Sequence, residues 1–252
     1  MKSYVGNEVI RGIDLEVAPG QVFGYIGPNG AGKSTTVKIL VGMLHDFKGT
    51  VEVAGLDVRE HPTEVKRRIG YVPESAELYD ELTVHEHLLL VGRLQGLDDE
   101  LVTARVKGIL EQFELGARLH SRLGSLSKGM RQKVMFTAAL VHDPEILFLD
   151  EPLAGLDVHS TVLVKELVKA LAQQGKTVFY CSHMMDVVER VCDRIAILSD
   201  GVLAAIGTFA DLTSQSQEGG TLEHIFLELT SDNDALDSAN SILDAVRGAR
   251  HD

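Results

Sequence analysis

The sequence predicts an α/β protein: a mostly parallel sheet flanked by helices, with a helical unit inserted into it. Three observations carry that expectation. Short apolar runs alternate with helical stretches in both the first and last thirds of the chain, the pattern of parallel strands joined by crossover helices. A glycine-rich segment, GPNGAGKST from Gly27 to Thr35, joins one apolar run to the helix after it. Between Thr83 and Leu140 three helical stretches follow one another with no convincing strand, which breaks the alternation.

Taken in order, Val9–Val17 and Gln21–Ile26 read as strands split by the turn Pro19-Gly20. Lys33–Leu44 reads as a helix, Thr50–Ala54 as a strand, Pro62–Arg68 as a short helix and Ile69–Val72 as another strand. The inserted unit holds helices at about 83–95, 99–113 and 127–141. Alternation then resumes with strand 145–150, helix 158–174, strand 176–181, helix 184–191 and strand 194–198. Thr213–Gly220 reads as a loop, and Leu222–Leu229 and Asp234–Val246 as amphipathic helices. There is no internal repeat.

Composition narrows the function classes. A chain of 252 residues with 44% apolar content supports a sizeable core. A net charge of −13 repels nucleic acid phosphates, so no nucleic acid is expected as the main ligand. Cys181 and Cys192 are too few for a disulfide framework and lie in no metal-type spacing. A reducing cytosol is the simple reading, with Cys181 a buried strand residue. The start, MKSYVGNEVIRGID, has no apolar targeting region. No window approaches about 18 consecutive apolar residues, so any spanning of a membrane falls to another chain. His85 and His87 stand two apart on a helix and do not share a face. Both are expected at the surface rather than on a metal.

Gly27–Thr35 fits G-x-x-x-x-G-K-[ST] and sits between a strand and a helix, the context that gives such a loop its meaning. Backbone N–H groups of Gly27, Asn29, Gly30, Ala31 and Gly32, with Pro28 shaping the turn, close around phosphate oxygens, and the helix start adds partial positive charge. Lys33 would reach the β- and γ-phosphates of a bound nucleotide, and Ser34 would ligate Mg2+. The run ILFLDE, Ile146–Glu151, describes a strand buried on both faces that emerges with two carboxylates. Ligands of open α/β sheets sit at such carboxyl ends. Asp150 would hold Mg2+, and Glu151 would position and polarise the attacking water. The bland alternative is a pair of acids that ends a strand and caps the next segment. His183, in YCSH, ends another strand and is placed to contact a departing γ-phosphate. LSKGMRQK, Leu126–Lys133, opens a helix with Ser127 as N-cap. Gly129 lies inside its first turn, where glycine costs about 0.5–1 kcal/mol relative to alanine.

In this order the segments resemble the nucleotide-binding subunit of an ABC transporter, over roughly Tyr4–Leu229. GPNGAGKS resembles that family's Walker A, YVPES its Q-loop, LSKGM its signature, ILFLDE its Walker B and AGLD, Ala154–Asp157, its D-loop. His183 resembles its switch histidine. The resemblance implies a P-loop NTPase (RecA-like) core with an antiparallel β subdomain and a helical subdomain inserted at about 75–142. It implies a cassette spanning 1–230 and a helical tail at 231–252. It implies ATP and Mg2+ as cofactors, with Glu74 joining Ser34 and Asp150 near the metal, and Tyr4 at the place of an adenine-stacking aromatic residue. Most relatives have a strand before that position. It implies a head-to-tail homodimer in which Ser127, Lys128, Gly129 and Met130 face ATP held by the other copy, with the D-loop Asp157 beside them. The implied partner is an integral membrane permease, with Leu78 and Tyr79 near the contact, which puts the chain at the cytoplasmic face of the inner or plasma membrane. Three departures stand out: Glu74 replaces the usual Gln, and Lys128 and Met130 replace Gly and Gln. GYxPE, SKGMRQ and IFLEL, Ile225–Leu229, look like cassettes of drug, lipid or sodium exporters. The competing reading is a soluble ABC-type ATPase in repair, translation or cofactor assembly.

Overall fold

The computed structural model describes residues 1–4, 7–75, 78–216 and 220–230. The strands are β1 (Lys2–Tyr4), β2 (Asn7–Ile10), β3 (Val22–Ile26), β4 (Glu52–Val53), β5 (Leu56–Asp57), β6 (Ile69–Val72), β7 (Ile146–Asp150), β8 (Thr177–Cys181), β9 (Arg194–Ser199) and β10 (Val202–Gly207). The helices are α1 (Lys33–Leu40), α2 (Pro62–Arg68), α3 (Val84–Leu94), α4 (Asp99–Gln112), α5 (Lys128–Leu140), α6 (Val158–Gln173), α7 (Met185–Val191), α8 (Phe209–Gln215) and α9 (Leu222–Thr230).

One six-stranded sheet organises the chain, in the order β10-β9-β3-β8-β7-β6. All its pairings are parallel except β9 with β10. Every residue of β3 and β8 is buried, as expected of strands covered on both faces. On one face Phe23, Tyr25, Phe148 and Phe179 stack with ring centroids 5.2–5.6 Å apart and pack with Val37 and Ile39 of α1. On the other, Val164 and Val168 of α6 and Val187 and Val188 of α7 join a larger core. That core runs on into α3, α4 and α5 through Leu88, Val102, Val106, Leu110 and Phe136. The pairs β1–β2 and β4–β5 form separate two-stranded antiparallel sheets. The expected P-loop NTPase arrangement is therefore present: a mostly parallel sheet, antiparallel pairs and packed helices.

Several boundaries differ from expectation. The strand expected over Val9–Val17 ends at Ile10, and beyond it only Gly12 makes an isolated bridge, to Val202. Ile13, Leu15 and Val17 keep their alternating half-burial without a ladder. The expected helix Lys33–Leu44 stops at Leu40, because Gly42 turns left-handed at φ 66°. Thr50–Ala54 shrinks to one limb of a hairpin, reversed by Ala54 and Gly55 at φ 53° and 74°. The sequence reading missed β1, β10 and α8. Helix α8 takes the first part of the expected Thr213–Gly220 loop and starts with a reciprocal cap, Thr208 and Asp211 bonding each other's backbone N–H. The expected helix Asp234–Val246 lies outside the described residues.

His87 corrects another expectation. It is not a surface residue: it is buried in α3, its Nδ1 has no hydrogen-bond partner, and burial holds its pKa below the usual histidine value. His85 is half-buried, beside Thr103 at 3.4 Å and edge-on to His120. Among the described residues no cluster of three His, Cys, Asp or Glu side chains is arranged to hold a metal.

Candidate functional site

The loop between β3 and α1 is shaped by two glycines. A Cβ at Gly27 would lie 2.5 Å from the Leu198 carbonyl oxygen, so only glycine lets the chain leave β3 this close to β9. Gly32 caps α1 at φ 107°, a left-handed conformation that glycine adopts without strain. Lys33 Nζ folds back and donates to the carbonyls of Gly27 at 2.7 Å and Pro28 at 3.0 Å. Asn29 and Gly30 are exposed at the loop tip, Ala31 is buried, and Ser34 and Thr35 are half-buried at the helix start. The result is a ring of backbone around a cationic side chain at a helix N-terminus, which favours an anion.

Two neighbouring strands bring carboxylates to this loop. Asp150 ends β7 and is 3% exposed. Burial raises its pKa above the usual carboxylate range. Hydrogen bonds from the Cys181 thiol and the Ser34 hydroxyl oppose that rise, and the Glu74 and Glu151 charges add to it. Cys181 is buried in β8 as expected. Glu74 is exposed just after β6 and faces Asp150 closely enough to act on it electrostatically.

Glu151 follows Asp150 with its backbone left-handed, at φ 49°, a conformation that strains a non-glycine residue by about 1–3 kcal/mol. Several bonds hold it there. Its N–H donates to Cys181 O at 2.8 Å, its Oε2 accepts from Ser182 Oγ at 3.0 Å, and its Oε1 accepts from the His183 N–H at 2.9 Å. His183 Nδ1 is 2.8 Å from the same Oε1, and the ring is 70% exposed. The two residues proposed for hydrolysis are thus in direct contact. Ser182, which fixes one carboxylate oxygen, escaped the sequence reading. It lay inside the quoted YCSH, but a serine there carries no distinguishing signal.

Ser127 caps α5 as expected, its side chain accepting from Met130 N at 3.3 Å. Gly129 has a reason that the sequence did not disclose. A Cβ there would fall 2.4 Å from the carbonyl oxygen of Gly155, and the stem of Lys128 lies along Gly155. The first turn of α5 is therefore pressed against the loop 151–157 of its own chain. Gln132 Nε2 donates to Pro152 O at 3.1 Å, and Lys133 Nζ is 3.0 Å from Asp157 Oδ2. Asp157 caps α6 by accepting from Ser160 N and Oγ, both at 2.8 Å. The Ser160 backbone bond, then Lys133, hold its carboxyl well below the usual range. On another side of α5, Arg131 donates to Asp80 at 2.7 Å, Gly124 N to Asp80 O at 3.0 Å and Leu123 N to Leu82 O at 2.9 Å. Of the two expected contact residues in that segment, Tyr79 is 67% exposed, while Leu78 is half-buried against the core. The side chain of Tyr4 lies outside the described residues.

A strand, a glycine loop closing on a lysine, a helix start, and acids at the neighbouring strand end define a nucleoside triphosphatase cassette. The profile of the ABC transporter family matches residues 10–154. The linearmycin resistance ATP-binding protein LnrL of Bacillus subtilis is 39% identical over 214 residues, 85% of this chain and 69% of that one. The Nod factor export ATP-binding protein I of Burkholderia lata is 38% identical over 199 residues, 79% of this chain and 66% of that one. A solved dimeric ATP-binding cassette in a post-hydrolysis state, bound to ADP and Pi, superposes with a TM-score of 0.75 at 26% identity, covering 82% of this chain and 94% of that one. The chain belongs to the ABC transporter family. It is an ATP-binding, ATP-hydrolysing subunit of the kind that powers transport. The soluble repair or translation reading is not favoured. Among the described residues no helix is long and apolar enough to cross a membrane.

Proposed function

We propose that this chain works as a homodimer that closes on ATP, reopens on hydrolysis, and drives export through a separate membrane-spanning subunit at the cytoplasmic face of the membrane. The unit responsible is 1–230, with the inserted helices at about 75–142; the expected tail at 231–252 lies outside the described residues. The observation that carries this reading is the convergence of Lys33, Ser34 and Asp150 at one sheet end with Glu151 bonded to His183.

The proposed roles are these. The backbone of Gly27, Asn29, Gly30, Ala31, Gly32, Lys33, Ser34 and Thr35 donates to phosphate oxygens, with Pro28 shaping the turn. Lys33, now bonded to two carbonyls, turns to the β- and γ-phosphates. A hydroxyl and two carboxylates, Ser34, Asp150 and Glu74, present the hard oxygen donors that suit Mg2+. When bound, Mg2+ supplies charge neutralisation between phosphates. Glu151 orients the attacking water and takes its proton, its carboxylate held in place by Ser182 and the His183 N–H. The exposed His183 ring reaches the γ-phosphate. Tyr4 stacks on adenine. Ser127, Lys128, Gly129 and Met130 meet the γ-phosphate held by the other copy, with Asp157 beside them at the interface. Tyr79 touches the membrane partner.

The test is co-purification of the tagged chain from detergent-solubilised membranes. The expected result is a stoichiometric multi-span protein that changes the ATPase rate. Recovery without any membrane chain, at an unaltered rate, would remove the transport coupling and leave the ATPase.

A further inference from the structure

A cavity of about 860 Å³ lies between β4 and the face of the sheet that packs with α1. Its floor is Phe148 of β7 and Phe179 of β8, and Ile39 of α1 closes one side. The run Ile13, Leu15 and Val17, which has no ladder partner, closes another. The cavity reaches the first residues of β7 and β8, Ile146 and Thr177, whereas Asp150 and Cys181 stand at the far ends of those strands. It is therefore separate from the site built around Lys33 and Glu151.

The lining sorts by chemistry. Its two buried hydroxyls are already bonded, Thr36 donating to Gly32 O at 3.0 Å and Thr177 accepting from Gly20 N at 3.1 Å. Every other buried side chain in the lining is aliphatic or aromatic, so the interior favours an apolar body. Charge is confined to the mouth. Strand-like alternation turns Ile13, Leu15 and Val17 inward and leaves Asp14 and Glu16 exposed, and Glu52 is exposed beside buried Val53. The carboxylates of Asp14, Glu16 and Glu52 have no ion pair or hydrogen bond among the described residues. The remaining acid of the lining, Glu145, is 3.9 Å from Arg68. Among the described residues Lys48 is the one lysine or arginine of the lining, and the Met1 amine there is bonded to the Lys48 carbonyl. Excess negative charge around an apolar opening selects for cations.

We propose that this cavity is a second ligand site, for lipophilic organic cations. An aryl or alkyl body fills the interior, and an amine sits at the mouth beside Asp14, Glu16 and Glu52. The volume falls within the range of about 300–1,000 Å³ common to small-molecule pockets.

Calorimetric titration of the full chain with three molecules of one body and different heads tests this: 4-phenylbutylamine, 4-phenylbutanol and 4-phenylbutyrate. Each is titrated without ATP and with saturating ATP. The expected order has the amine tightest, by about tenfold over the alcohol, the worth of two or three surface ion pairs, and the carboxylate weakest. The margin narrows in about 1 M salt, where the charges are screened. The triple variant Asp14→Asn, Glu16→Gln, Glu52→Gln brings the amine level with the alcohol. Val17→Phe, which fills the cavity from one wall, abolishes binding of both and leaves ATP binding intact. The triple variant alters exposed side chains alone, so it keeps the test open should Val17→Phe fail to fold. Equal affinity for amine and alcohol in the wild type overturns the assignment to cations. No binding by any of the three, competition between the amine and ATP, or unchanged binding in a folded Val17→Phe overturns the cavity as the site.

Discussion

Replacing Gly129 with alanine sets two physical effects against each other. Helix propensity alone predicts stabilisation, by about 0.5–1 kcal/mol, for removing a glycine from a helix. The structure predicts the reverse sign. The new Cβ would stand 2.4 Å from Gly155 O, against an ordinary contact of 3.4 Å or more, so the two segments would have to part by about 1 Å. Neither can retreat freely, because Gln132 and Lys133 hold the same loop three and four residues further on. Overpacking of this kind costs about 1–3 kcal/mol. The net effect is then a destabilisation of up to about 2.5 kcal/mol, or up to about 10 °C in melting temperature for a chain of this size. Gly108 supplies the control. It lies in α4, and an added Cβ there would meet nothing within 4 Å. Gly108→Ala should raise the melting temperature by about 1–4 °C. Both variants are melted without nucleotide, which keeps the comparison independent of dimerisation. Equal stabilisation by the two would refute the claim that α5 is pressed onto the 151–157 loop.

Three more outcomes follow from the structure. Glu151→Gln keeps an acceptor for the His183 N–H but loses the base, so turnover should fall by about 10²–10⁴ with little change in melting temperature; steady-state turnover near the wild-type rate would reject Glu151 as the base. Ser127→Arg places a long cation at the α5 start and should suppress hydrolysis while ATP affinity of the monomer, measured by calorimetry, stays the same; normal hydrolysis would count against the shared site. His87 and His142 both have pKa values lowered first by burial. Because the folded pKa lies below the unfolded one, their contribution to stability is fully present above about pH 6.5 and is lost as pH falls through the folded values. Melting temperature should therefore drop between about pH 7 and pH 5, and His87→Leu should flatten that slope; an identical slope in the variant would show that His87 does not drive it.

What the sequence disclosed was what depends on local pattern. The buried runs at Val22–Ile26, Ile146–Asp150 and Thr177–Cys181 read as strands because strands covered on both faces are continuously apolar. Pro62 and Ile69 marked the limits of α2 because proline suits a helix start and the β-branched run beyond suits a strand. The site was legible for the same reason: the glycine loop, the two acids and the histidine each sit at a strand end. What stayed hidden depends on distant partners. Val202–Gly207 is a strand only because β9 offers an edge to it. Val9–Val17 has the alternation of a strand, yet beyond Ile10 it finds no neighbour to ladder with. His87 is buried because α3 packs on two sides, which a helical period with one apolar stripe does not reveal. Gly129 answers to a carbonyl on a different loop, and nothing near it in the chain says so.

The segment carrying Tyr79 is tied to α5 and to the turn just before it. Asp80 and Leu82 are bonded to Arg131, Gly124 and Leu123, whereas Lys33 stands at the start of α1 and Asp150 at the end of β7. A load applied at Tyr79 would therefore meet Arg131 of α5 and the turn at 123–124 before it reached the sheet. In mechanical language, the handle at Tyr79 and the blade at Ser127 share one mounting, made of Arg131 and the turn at 123–124, set apart from the loop and strand end that carry Lys33 and Asp150.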